Sequence, residues 1–98
     1  MFHVTIDEDE WDRLPADRKE EVRALKARLA ADPFAAGDKV RRALIPRGLA
    51  VPNLYRRVLR GGWRMVYTIR TKDVLPTVRI LLVGSHKRYD RFFGYKSS

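Results

Sequence analysis

Apolar and polar positions alternate most clearly in the last third of the chain. From Trp63 to Arg70, the residues Trp63, Met65, Tyr67 and Ile69 fall on one side of a strand, and Arg64, Val66, Thr68 and Arg70 fall on the other. Neighbouring strands are predicted at about 54–60 and about 77–84. Gly61-Gly62 is the hairpin turn before Trp63, and Lys72 to Pro76 forms a second, longer turn. Near the N-terminus, Phe2, Val4 and Ile6 alternate with His3, Thr5 and Asp7, which predicts a short strand with one apolar face.

Between these strands the period becomes helical. Asp7, Glu8, Asp9 and Glu10 start a helical region, where carboxylates suit the positive end of the helix dipole. Trp11 and Leu14 share a face. Pro15 restarts the helix, because its missing N–H would be unpaired in a first turn anyway. Val22, Leu25 and Leu29 repeat at helical spacing until Asp32-Pro33 ends the element. Residues 34–52 are too many for a structureless loop in a small domain. A short helix is predicted from Asp38 to Leu44, with Asp38 as its cap and Val40 and Leu44 on one side. Pro46, Gly48 and Pro52 mark the bends that follow, and a short helix- or loop-like tail ends the chain. The pattern predicts one α+β domain over residues 1–98: an antiparallel sheet of about four strands, with an N-terminal helical hairpin packed on one face.

Composition narrows the class. Apolar residues make up 45% of the 98 residues, which suits a folded domain. The absence of cysteine excludes disulfides and cysteine-ligated zinc. No apolar run approaches the roughly 20 residues of a membrane span, and the acidic start lacks the basic opening of a signal peptide. The expectation is a cytoplasmic protein with no membrane partner. The net charge of +9 is segregated: residues 1–33 carry 6 Lys/Arg and 9 Asp/Glu, whereas residues 34–98 carry 15 and 3. A basic sheet behind an acidic helical portion attracts nucleic acid or another acidic partner from a distance.

The candidate chemistry lies in that basic half. Arg64 sits on the strand face turned away from the predicted helices. Its planar fork donates paired hydrogen bonds to phosphate and stays charged. Arg56, Arg57, Arg60 and Arg79 are further phosphate-binding candidates on the neighbouring strands. His86 follows the last strand beside Lys87 and Arg88, two more phosphate-binding candidates, and a neutral imidazole can take a proton near neutral pH. Tyr89 is the aromatic candidate for stacking a splayed RNA base, whereas Phe92 and Phe93 read as sealing the core. The acidic run Asp7 to Glu10 has no histidine at ligand spacing and reads as a solvated helix start, so no metal is expected. There is no glycine-rich phosphate loop and no serine or cysteine nucleophile motif.

The run Gly62-Trp63-Arg64-Met65-Val66-Tyr67-Thr68-Ile69 resembles the glycine–aromatic–arginine–apolar–apolar–tyrosine strand of the RelE/ParE superfamily, toxins from bacterial and archaeal toxin–antitoxin operons. Leu54 to Leu59 resembles the strand that supplies its basic residues. Val83-Gly84-Ser85-His86-Lys87-Arg88-Tyr89 resembles its closing glycine, basic residues and tyrosine. The resemblance implies the toxin of a type II toxin–antitoxin system, an enzyme that cuts mRNA on the ribosome and so inhibits translation. In such endoribonucleases the 2′-OH attacks the adjacent phosphate, giving a cyclic phosphate and a 5′-OH, with no metal or other cofactor. Arg64 matches the phosphate-stabilising arginine and Arg56 a basic position on the preceding strand. His86 lies where members carry arginine or histidine, and Tyr89 lies near the base-stacking tyrosine. The implied partners are a cognate antitoxin, the ribosome through its small-subunit rRNA, and mRNA. Two departures stand out: a second basic position falls on Val58, and no glutamate occupies the place of a general base. They favour the alternative, a non-catalytic binding protein of the same fold, either a gyrase-directed inhibitor or an RNA-binding module.

Overall fold

A computed structural model of the chain describes residues 1–72 and 74–95. Its elements are β1 (His3–Ile6), α1 (Glu8–Asp12), α2 (Ala16–Ala31), β2 (Asp38–Lys39), β3 (Tyr55–Val58), β4 (Arg64–Arg70), β5 (Thr77–Gly84) and α3 (His86–Phe93). The strands form one five-stranded sheet in the order β1-β5-β4-β3-β2. The sheet is α+β as expected, but it has one more strand than the sequence pattern predicts, and it is mixed. β1 runs parallel to β5, pairing Val4 with Val78 and Ile6 with Ile80, and every other pairing is antiparallel.

The helical hairpin is built as its residues predict. Pro15 stands directly before α2, where its carbonyl accepts from the amides of Arg18 and Lys19. Val22 and Leu29 are buried against Met65, Tyr67, Ile69, Val78 and Ile80 in the main core. This is the first face of the sheet. At the end of α2, Asp32 accepts the Ala35 amide through its side chain. The Tyr67 hydroxyl donates to the Pro33 carbonyl at 2.7 Å, which fixes the chain as it leaves the helix. Burial pushes that phenol up to about 12.

The predicted helix from Asp38 to Leu44 does not form. Asp38 and Lys39 instead pair with Arg56 and Tyr55, and the Val40 amide donates to the Leu54 carbonyl. Only one 3-10 turn, Arg42–Leu44, follows. The cause is tertiary. Gly37 packs so closely that an added Cβ would lie 2.6 Å from the Arg56 carbonyl oxygen and 2.7 Å from the Tyr67 hydroxyl. That approach delivers the chain to the sheet edge, and backbone pairing there outweighs a weak helix propensity. The Gly61-Gly62 turn does join β3 to β4, with both glycines at positive φ (63° and 78°). In the Lys72 to Pro76 turn, Asp73 lies outside the described residues.

The second face is not open. Val66, Leu82, Leu54, Val40 and Tyr89 form a smaller core, roofed by α3 and by Ile45, Leu49 and Val51. A bulge serves it: Val66 pairs with Leu82 but Tyr67 pairs with Ile80, so Leu81 is the extra residue. Leu81 and Leu82 can then both turn to this core, as a bulge allows. Gly84 ends β5 where a Cβ would come 3.0 Å from the Cβ of Arg88, so α3 can fold back tightly. The Ser85 hydroxyl caps α3 by accepting the Arg88 amide. No helix among the described residues is long and apolar enough to cross a membrane.

Candidate functional site

Strand alternation sends Arg56 and Val58 to the second face of β3 and Arg57 to the first. β4 places Arg64 directly opposite Val58. Two guanidinium groups therefore approach α3 from adjacent strands, and they meet at Tyr89. Arg56 Nη1 donates to the Tyr89 hydroxyl at 3.1 Å, and the Arg64 guanidinium lies 5.8 Å from the centre of the Tyr89 ring. The second contact is within cation–π range. The phenol pushes Arg56 above its ordinary value, chiefly through that hydrogen bond. Arg64 also donates to the Gly62 carbonyl at 2.7 Å, which holds its fork beside the turn. Among the described residues, no carboxylate lies within ion-pair distance of Arg56 or Arg64. Asp38, across the strand pair from Arg56, acts on it only through space.

His86 opens the helix that carries Tyr89. Its side chain is 64% exposed, and Nε2 lies 3.3 Å from the Asp90 carboxylate one turn later. Lys87 is exposed beside it. The cluster is therefore one guanidinium at the Tyr89 hydroxyl and a second over its ring, on the helix that also carries an imidazole paired with a carboxylate. Such a surface can hold phosphate oxygens and exchange a proton near them.

Several sequence-predicted residues lie elsewhere or play a different part. Tyr89 is only 4% exposed. Its ring is core, so the expected free stacking surface is absent and the hydroxyl is what serves the site. Arg88 turns inward and forms a two-pronged ion pair with Glu10, at 2.7 and 2.8 Å. Glu10 is 6% exposed and also accepts the Val83 amide, so it is not a solvated helix-start residue. Arg57 gives its guanidinium to the Ala36 carbonyl on the first face at 2.6 Å. Arg79 pairs with Asp7 at 3.2 Å. Arg60 bonds Glu21 and Arg18 through its backbone, at the α2 side of the turn.

No protein-family model and no curated protein matches the chain. Solved structures do. A chain in the crystal structure of the intact E. coli RelBE toxin–antitoxin complex superposes with a TM-score of 0.60 and 25% identity, over 87% of this chain and 96% of that one. The chain is RelE-like. An arginine-to-alanine double mutant of E. coli toxin RelE, in complex with an antitoxin RelB peptide, gives the same TM-score of 0.60 at 22% identity, over 99% of this chain and 97% of that one.

In this RelE-like chain the sequence reading misses Asp90 and prefers Tyr89 to Tyr95 within the aromatic tail. Asp90 stands four residues after His86, a spacing that puts both on one helix face, so it was legible. Tyr95 is 42% exposed. It stacks on Phe93 at 5.5 Å and lies 6.5 Å from the Tyr89 ring. Gly94 in the left-handed conformation (φ 75°) turns the chain so that the Tyr95 amide returns to the Asp90 carbonyl. A glycine just past a helix end is the signal that sets Tyr95 apart from the rest of that tail.

Proposed function

We propose that this RelE-like chain is the toxin of a type II toxin–antitoxin system and acts as a ribosome-dependent mRNA endoribonuclease. The convergence of Arg56 and Arg64 on Tyr89, with no carboxylate in ion-pair reach among the described residues, supports this reading most directly. In the reaction the 2′-OH of one nucleotide attacks its own 3′-phosphate. The new O–P bond closes a cyclic phosphate, and the bond to the departing 5′-oxygen breaks. Arg64 balances the charge that develops on the phosphoryl oxygens, the type of electrostatic stabilisation that is usually the largest single contribution. Arg56, held by the Tyr89 hydroxyl, anchors a neighbouring phosphate with Lys87. His86, paired with Asp90, takes the proton from the 2′-OH or returns one to the leaving oxygen. No step of this scheme calls for a metal. Each of the two similar structures is a complex with antitoxin, and here a cognate antitoxin would cover the basic second face.

One observation favours the alternative, a non-catalytic binding protein of the same fold. Val58 lies directly opposite Arg64 and is 60% exposed, so an apolar side chain stands where the resemblance leads one to expect a second basic residue. Purified protein added to translating ribosomes decides between the two. The nuclease reading expects cut mRNA with 2′,3′-cyclic phosphate ends, and no cut where the scissile nucleotide is 2′-deoxy. Intact mRNA would leave the binding reading, with harmless expression in cells pointing to an RNA-binding module and growth arrest to a gyrase-directed inhibitor.

A further inference from the structure

Between Asp38 and Asp73 the chain carries ten Lys and Arg residues and no Asp or Glu. Four of them, Lys39, Arg41, Arg42 and Arg47, fall on the segment that roofs the second core. That segment lacks long regular structure, yet it is firmly built. Val40, Ile45 and Leu49 point into the core. Its backbone is closed by bonds from Val40 to Leu54, Leu44 to Arg41, Ile45 to Arg42 and Leu49 to Pro46. All four cations are exposed. Arg42 also donates to the Pro52 carbonyl at 3.2 Å, which pins the two ends of the segment together. Lys39, Arg41 and Arg42 border an open cavity of about 270 Å³. Among the described residues, none of the four has an ion-pair partner.

We propose that Lys39, Arg41 and Arg47, on the frame fixed by Arg42, form a second docking site for the phosphodiester backbone of RNA, distinct from the cluster at Tyr89. The inference rests on RNA as the ligand of that neighbouring cluster. Val40 and Ile45 of this segment pack into the core that Arg56 and Arg64 border, and Lys39, opposite Tyr55, stands at the adjoining sheet edge, so one polyanion that wraps this edge can engage both sites. Phosphate contacts of this kind set register and orientation without reading sequence. RNA fits this surface better than an acidic protein segment does. Leu44 is the only exposed large apolar side chain on it, and a protein interface needs an apolar centre.

The test uses the whole protein and a short fluorescein-labelled 2′-O-methyl RNA, whose blocked 2′-oxygen prevents cleavage. Binding is followed by anisotropy as salt is raised. The triple variant Lys39→Ser, Arg41→Ser, Arg47→Ser should lower the slope of log affinity against log salt by about 2, since each lost phosphate contact on a single strand removes about 0.7. Its melting temperature should match the wild type, because these three side chains are exposed. Arg64→Ala should lower the slope by less than about 1. An unchanged slope in the triple variant overturns the proposal. So does a variant that keeps the RNA slope but loses binding to a polyglutamate peptide. The slope is read without cleavage, so failure of the nuclease reading and failure of this site give different results.

Discussion

On the first face of the sheet, Arg57 is spent on the Ala36 carbonyl, and Arg18 is fixed between Glu21 at 2.9 Å and the Trp63 ring at 4.5 Å. On the second face, Arg56 and Arg64 meet a phenol, an aromatic ring and backbone carbonyls, and no carboxylate among the described residues lies within ion-pair distance of them. The two faces are built from the same strands, and each buries an apolar core. They differ in what the cations are given. Where a carboxylate or a carbonyl from a distant segment completes the guanidinium, arginine ties the fold together, whereas Arg64 holds only the carbonyls of its own turn. Where it is left short of a counter-charge, its affinity for an anion is still available. Arg88 marks the border: it lies one residue from Tyr89, yet its charge is consumed by Glu10 beneath α3.

Arg88→Ala should show the largest effect on stability. It strands a buried carboxylate, a loss of about 3–5 kcal/mol, read by urea unfolding. Replacing both partners, Arg88→Met with Glu10→Leu, should recover much of this and leave a deficit from the Val83 amide, which loses its acceptor. A mild effect of Arg88→Ala would erase the distinction between the fold arginine and the site arginines. Gly37→Ala comes next. Its methyl would have to displace the Arg56 carbonyl and the Tyr67 hydroxyl, at about 1–3 kcal/mol, and a melting curve checks it. Because Arg56 shifts with its backbone, RNA binding should weaken as well.

Tyr67 gives a smaller effect that depends on pH. Its phenol is raised to about 12 by burial. The neutral form is therefore favoured in the folded state, and the folded chain holds a proton that the unfolded chain has lost. That contribution is complete below about pH 10 and is lost as pH rises towards about 12. In Tyr67→Phe the corresponding loss should disappear from urea titrations across that window, and an unchanged pH slope would remove Tyr67 as its source. The smallest change in stability, within about 0.5 kcal/mol, is expected for the exposed Val58→Lys. Placed opposite Arg64, the new ammonium should raise the salt slope of RNA binding by up to about 0.7. No change in the slope would mean that RNA does not reach this part of the second face.

Much of this division could be read in the chain, and the unread part has physical causes. Alternation from Trp63 to Ile69 put Arg64 on the face away from α1 and α2. The same period sends Arg56 and Arg57 to opposite faces, but it does not say which of them finds an acceptor. The Arg88–Glu10 pair joins residues 78 positions apart, and no local pattern announces it. Exposure of Tyr89 was inferred from basic neighbours. Its burial follows from Gly84, which lets α3 turn back over Val66 and Leu82. The helix expected at Asp38 to Leu44 failed for a similar reason, since the edge of β3 offered its backbone more bonds than one isolated turn of helix could.

The central claim is that Arg64 serves chemistry and not the fold. The most direct measurement is primer-extension mapping of mRNA cleavage on translating ribosomes, with wild type and Arg64→Ala compared at equal folded concentration. Loss of one preorganised charge aimed at the reacting phosphate should slow cleavage about 100- to 1000-fold, with a melting temperature close to that of wild type. Cleavage at the same positions and the same rate by both proteins would contradict the claim.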